Sequence, residues 1–394
     1  MKYAYNDEFS LKKVKKILKS SQVNYWTGKE GVSFEKDFSK YVGNKYSVGV
    51  SNGSVALEIA LKSLELNIMD NVIVTPRSFV ISASCVLNLG LKPVFADVNR
   101  NGNLCIESIS KVYNKSVKAI IVVHLNGLPC DMDPIVKFAK KNKIFIIEDC
   151  SQAHGAVYKN KPVGSFGNVS TWSFCQDKII TTGGEGGMIS TNNKKIWMKC
   201  WSIKDHGKNY KSVFFKKHKQ GFRWLHDEIG SNYRMTEIQS ALGRIQLKRL
   251  DQQIKKRNKI VSLYYDKLKI FWEEQDLLKK PDFVSKTCPL NHKNCKSCIH
   301  SFYRLNFYIN IKKINQLKLI DQLNAKNISS GVGSCPEIYR EKIFQKLKMY
   351  PGRRLKVAKL LGKSSLMFPI NPYKPLIKIN SEILSIKKIL NNYL

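Results

Sequence analysis

Residues 173–187 read SFCQDKIITTGGEGG, with Lys178 as the one basic residue of the stretch. Apolar runs flank it, TWSFC at 171–175 and GGMIST at 186–191, and both read as buried strands. Glycine allows close backbone approach and positive φ, so the loop can fold tightly around the lysine. An amine held there is desolvated and its pKa lowered, which is what a Schiff-base lysine needs. The plain alternative is a surface lysine beside a flexible loop, and spacing alone favours that alternative.

Upstream, IIEDCSQAHGA at 146–156 puts Glu148 and Asp149 at the end of another apolar run. In an open α/β sheet, ligands bind beyond the carboxyl ends of the strands. A carboxylate there can keep a pyridinium nitrogen protonated, or it can simply cap the next helix. Further upstream, Ser51-Asn52-Gly53-Ser54 precedes residues 55–66, whose apolar positions recur at helical spacing. The amides of a helix N-terminus bind anions, although these residues also suit an ordinary N-cap. Together the three stretches supply a lysine, an acid and a phosphate cradle, the parts of a pyridoxal-phosphate site.

The wider pattern is α/β. Strand-like runs occur at 71–76, 92–98, 118–127 and 143–150, with an amphipathic helix at 133–142. Alternation of this kind predicts a largely parallel sheet flanked by helices. A helical pattern over 235–268 is long enough to bridge two domains. After it come a polar, Cys-containing stretch at 281–298, a strand-like run at 302–311, a helix-like run at 314–327 and a Lys-rich tail. The boundary falls near 255–270. Residues 1–255 then form a large domain and 256–394 a smaller C-terminal α/β domain, with the first ~25 residues free to pack on the latter. A chain of 394 residues is long enough for two domains.

Lys and Arg number 67 against 30 Asp and Glu, giving a net charge of +37, but Arg accounts for only 11 of the 67. Base-specific nucleic-acid readers lean on Arg, so the scattered lysines argue against that function and suit a phosphorylated substrate instead. No apolar run is long enough to span a bilayer. The N-terminal residues lack a secretory pattern, so a cytoplasmic home is expected, and the ten Cys are expected to be reduced. Cys288, Cys295 and Cys298, with His292 and His300 nearby, have the residue types of a zinc site. Only the C-x2-C half has regular spacing, and a variable loop is the preferred reading, with no metal expected.

Beyond single motifs, the chain resembles the DegT/DnrJ family of sugar aminotransferases, pyridoxal-phosphate enzymes of the aspartate-aminotransferase fold (fold type I). The resemblance runs from YWTG at 25–28 to Phe368-Pro369. It rests on SNGSVALEIAL, VTPRSFVISAS, PVFADV, EDCSQAHGA, GSFGNVSTWSFCQDKIITTGGEGG and GSNYRMTEIQSALGRIQLKRLD, in that order. It implies a mostly parallel seven-stranded sheet in the large domain. Lys178 is similar to the lysine that forms the Schiff base and shuttles protons, and Asp149 to the acid that pairs with the pyridine nitrogen. Phe79 resembles the aromatic that stacks on the cofactor ring, and Gln152 a residue near its 3′-oxygen. Gly53, Ser54 and Ser173 match phosphate contacts. Asn232 resembles a phosphate ligand given by the partner subunit, so the resemblance implies a homodimer with shared sites; capping of the helix near 235 is its other reading. His154 and His206 lie near the site in such motifs without an assigned role. The pair Gln176-Asp177 and the extra glycine in TTGGEGG depart from the commonest pattern and bear on substrate identity.

The resulting expectation is a PLP-dependent aminotransferase moving an amino group from glutamate or glutamine to C3 or C4 of a keto-sugar carried on a nucleotide diphosphate. The amino-deoxy sugar would serve a surface glycan such as the O-antigen of lipopolysaccharide. The alternatives are a sugar dehydratase of the same fold, in which a histidine replaces the lysine, and a non-catalytic binding or regulatory relative. Lys178 argues against the first, which the three Cys beyond Pro281 keep open, and Lys178, Asp149 and Ser173 together argue against the second.

Overall fold

The structure, a computed structural model, describes residues 7–279 and 297–394. The strands are β1 (Tyr46–Val50), β2 (Asn71–Val74), β3 (Lys92–Phe95), β4 (Val117–Val123), β5 (Phe145–Asp149), the small hairpin β6 and β7 (Val157–Tyr158, Lys161–Pro162), β8 (Val169–Ser173), β9 (Gly187–Thr191), β10 (Leu278–Lys279), β11 (Arg304–Ile309) and β12 (Ser365–Pro369). Seven of them form one sheet in the order β1-β9-β8-β5-β4-β2-β3. The five strands from β8 to β3 are parallel, and β9 runs antiparallel to both β8 and β1. The fold is therefore the expected α/β type with a mostly parallel seven-stranded sheet.

Parallel strands covered on both faces are apolar on both, and β4 is the clearest case. Ile121 and Val123 pack with Ala56, Leu57 and Ala60 of the helix Gly53–Lys62. Ile120 and Val122 point to the other face, where Ile135 and Ala139 of the helix Met132–Asn142 lie. The strand stops at Val123, four residues short of the sequence expectation. Asn126 and Gly127 take φ of 57° and 92°, which turn the chain into a short 3-10 segment over Leu125–Gly127.

The helix Glu237–Leu268 starts two residues later than expected, because Thr236 and Gln239 form a capping box. It gives Leu247, Leu250 and Ile254 to one apolar cluster. Further along it gives Ile260, Val261, Tyr264 and Leu268 to another, built with β11, β12 and the helix Leu376–Asn391. The buried Glu237 carboxylate accepts from the amides of Glu30 and Gly31 at 2.6 and 2.8 Å, tying the start of the helix Glu30–Val42 to the long helix. A Cβ on Gly28 would lie 2.0 Å from that carboxylate, so any other residue there would force the Glu237 side chain to shift. β10, β11 and β12 make a three-stranded antiparallel sheet. Among the described residues, no helix is long and apolar enough to cross a membrane.

Candidate active site

The helix Gly53–Lys62 begins where β8 ends. The Asn52 side chain accepts from Val55 N at 2.9 Å and fixes the first turn. A Cβ on Gly53 would lie 2.5 Å from Ser173 Cβ, so glycine lets the helix N-terminus approach the end of β8. In the sheet, β5 lies beside β8, with Asp149 opposite Thr171. The carboxyl ends of both strands open into one cavity of about 830 Å³. Gly53, Ser54, Phe79, Asp149, Gln152, Ser173 and Lys178 all line it.

Each side chain is positioned by local contacts. Asp149 is buried; Ser82 Oγ and Ser151 N donate to its carboxylate, each at 3.1 Å. Asn126 N donates to Gln152 Oε1 at 2.8 Å, which leaves the amide nitrogen as the group able to face the cavity. Phe79 is 68% exposed, a large apolar ring turned to the cavity instead of the core.

Lys178 departs from the sequence expectation. Burial alone pulls its amine down, but Tyr303 and Asp177 outweigh burial and hold it above the ordinary lysine value. Lys178 Nζ lies 3.5 Å from both Tyr303 Oη and Asp177 Oδ1. Burial pushes the Asp177 carboxyl up, yet Lys178, the Tyr303 hydroxyl and Arg304 hold it below its usual value. Asp177, Tyr303 and Arg304 thus belong to the cavity and had no role from the sequence. The sequence signal was limited to the unusual Gln176-Asp177 pair.

Asn232 does not line the cavity of its own chain. It is exposed and bridges Asp205, and Thr236 takes the capping role that was its other reading. His154 is buried beside Trp172 and Phe174, and burial, with the charge of Lys178, pushes its imidazole down to about 3. His206 lies outside the cavity, with φ of 59°.

Cys288, His292 and Cys295 lie outside the described residues. Cys298 Sγ accepts from Lys159 N at 3.3 Å, and His300 Nδ1 accepts from Phe302 N at 2.9 Å. A second group, His124, Glu148 and Cys150, is buried with its ligand atoms within 4.8 Å of one another. Its lone pairs are engaged: Glu148 accepts from the amides of Gly164, Phe166 and Gly167, and His124 Nδ1 from Cys130 N. Burial pushes the Cys150 thiol well up, so it stays protonated. The group is a hydrogen-bonded knot at the carboxyl ends of the central strands β4 and β5.

The family model described as the DegT/DnrJ/EryC1/StrS aminotransferase family matches residues 4–374. A solved aminotransferase from Psychrobacter cryohalolentis is 40% identical, with a TM-score of 0.94 over 100% of this chain and 99% of its own. GDP-perosamine synthase from Escherichia coli O157:H7 is 40% identical over 59% of this chain, and the match spans 61% of that enzyme's length. An E. coli GDP-4-keto-6-deoxy-D-mannose-3-dehydratase with bound hydrated PLP is 25% identical, with a TM-score of 0.83 over 96% and 97% of the two chains.

Proposed function

Because the chain belongs to the DegT/DnrJ/EryC1/StrS aminotransferase family, we propose that it transfers an amino group from glutamate or glutamine to a nucleotide-linked keto-sugar, at C3 or C4. The observation that carries this reading is one cavity holding Lys178, Asp149 and the N-terminus of the helix Gly53–Lys62. The product would be an amino-deoxy sugar for a surface glycan, made in the cytoplasm by a homodimer. We also propose the division into residues 1–255 and 256–394.

The family's cofactor is pyridoxal phosphate, and the residues present fit it. The missing Cβ of Gly53 opens the helix amides and Ser173 to a phosphate. The exposed ring of Phe79 offers a stacking face, and the buried Asp149 carboxylate a partner for a ring N–H. When bound, the cofactor supplies the electron sink for breaking the bonds at the amine-bearing carbon.

The chain supplies the rest. Lys178 would hold the cofactor covalently, and as a free amine its Nζ takes the proton from the donor's α-carbon. Asp149 would keep the ring nitrogen protonated, and the amide nitrogen of Gln152 would be the group offered to the ring. Lysine at 178, in place of histidine, supports amino transfer over dehydration. The high positive charge favours capture of a diphosphate-bearing substrate.

The test is a panel of keto-sugar nucleotides incubated with L-glutamate and the cofactor-loaded protein, read by mass spectrometry. Formation of an amino-sugar nucleotide is expected. Loss of water from the sugar without nitrogen gain would turn the reading to a dehydratase.

A further inference from the structure

Among the described residues that line the cavity, two are cations, Lys178 and Arg304. Lysine 178 has its role in the proposed function, and Arg304 has none. Arg304 opens β11, its guanidinium lies 4.9 Å from the centre of the Tyr303 ring, and its hydrogen bonds are long. Its Nη1 donates to the thioether of Met367 at 3.6 Å, a weak acceptor. Its Nη2 reaches Tyr303 Oη at 3.2 Å and Asp177 Oδ2 at only 3.4 Å. That carboxylate is shared with Lys178 and Tyr303, and its side chain is 43% exposed. A guanidinium binds a carboxylate best through two parallel N–H bonds, near 2.8 Å. Arg304 has no such bond, although it lies on the wall of a cavity that takes substrates.

We infer that Arg304 binds the α-carboxylate of the amino-acid donor, and that Asp177 is its counterion until the donor arrives. The inference rests on the aminotransferase reading of the cavity and adds the residue that recognises one of its two substrates. The geometry suits an α-amino acid. Lys178 Nζ and Arg304 Nη2 both lie within reach of one oxygen, Tyr303 Oη. The amine and carboxylate of an α-amino acid sit on one carbon, so a donor whose amine is at the reacting position beside Lys178 brings its carboxylate toward Arg304. A keto-sugar nucleotide is different. Its ketone is neutral, and its diphosphate is separated from a C3 or C4 ketone by the sugar ring. Arg304 therefore serves the donor half of the reaction.

The two halves can be measured apart. Protein loaded with pyridoxal phosphate is mixed with L-glutamate, and the loss of visible absorbance is followed in a single turnover. Protein loaded with pyridoxamine phosphate is mixed with the keto-sugar nucleotide that wild type accepts, and the return of absorbance is followed. Removing a charge-assisted bond by Arg304→Met raises the glutamate concentration for half-saturation about 10- to 100-fold, and Arg304→Lys recovers part of that loss. The sugar half should change by less than about 3-fold, within the effect of a neutral substitution nearby. Binding of glutarate to the loaded protein, measured by calorimetry, should weaken in Arg304→Met, a readout independent of turnover. Melting temperature checks folding, and Arg304→Lys carries the test if Arg304→Met does not fold. Unchanged glutamate saturation overturns the proposal. So does an equal fall in both halves, which marks a structural role or a diphosphate contact. If loaded wild type reacts with no amino acid, the aminotransferase reading itself falls; if it reacts and Arg304→Met matches it, only the Arg304 site falls.

Discussion

Replacing Lys178 with alanine removes the cavity's one amine among the described residues. The expected outcome is a protein that still binds pyridoxal phosphate through the helix amides, but without the visible band of lysine-bound cofactor and without turnover. Loss of nucleophile and proton shuttle together costs orders of magnitude in rate. Retained turnover with glutamate would remove Lys178 from its role. The buried histidines titrate in the opposite sense to the lysine. His154 and His300 are each pushed by burial from the ordinary 6.5 down to about 3. Between those values the unfolded chain binds a proton that the folded chain excludes. Stability from this source is present above about pH 6.5 and is lost as pH falls toward 3, at about 1.4 kcal/mol per pH unit for each histidine. Melting temperature should drop between pH 6.5 and 5, and His154→Phe should flatten part of the slope. An equal slope in wild type and His154→Phe would show that His154 does not titrate on unfolding.

At the scale of elements, the site depends on the helix Gly53–Lys62 meeting β8 without a side chain between them. Gly53→Ala places a methyl 2.5 Å from Ser173 Cβ, on a strand buried along its whole length. Overpacking of this kind costs about 1–3 kcal/mol, and the shifted helix start should loosen the phosphate cradle. Denaturant titration and equilibrium dialysis of pyridoxal phosphate measure the two effects. Adding Ser173→Gly should return the stability but not the phosphate affinity; a Gly53→Ala protein with wild-type values in both would place the helix differently. The same elements explain what was legible in the sequence. β2, β4 and β5 are apolar runs because both their faces are covered, and their bounds came within a few residues. β1, YSVGV, is short and carries a serine and a glycine, and it went unnamed. Lys178 and Asp149 sit in local motifs at strand ends, where residue order carries the information. The charge state of Lys178 was not readable, since Tyr303 reaches it from 125 residues away. Arg304 meets Asp177 across 127 residues, so neither residue's role could follow from its neighbours in the chain.

At the scale of the whole molecule, Asn232 is the predicted site residue that its own chain leaves outside the cavity. The segment that leads to it, residues 208–231, exposes Phe215, Phe222, Trp224 and Ile229, which are between 75% and 89% accessible. Clustered exposed apolar side chains of this size mark interaction surfaces. The proposed two-fold homodimer would give this segment a partner and complete both sites at once, since an isologous interface presents the same patch twice. The division of labour can be tested by mixing. An inactive Lys178→Ala chain is combined with an inactive chain carrying Asn232→Asp, which sets a negative charge against the cofactor phosphate. With shared sites, one site of each mixed dimer combines an intact Lys178 from one subunit with an intact Asn232 from the other. The mixture should then recover up to about a quarter of wild-type activity, because about half of the dimers are mixed and each has one good site. If Asn232 serves only its own subunit, every site keeps one defect and the mixture stays inactive. Mass measurement of the exchanged dimers separates that result from a failure of the subunits to mix.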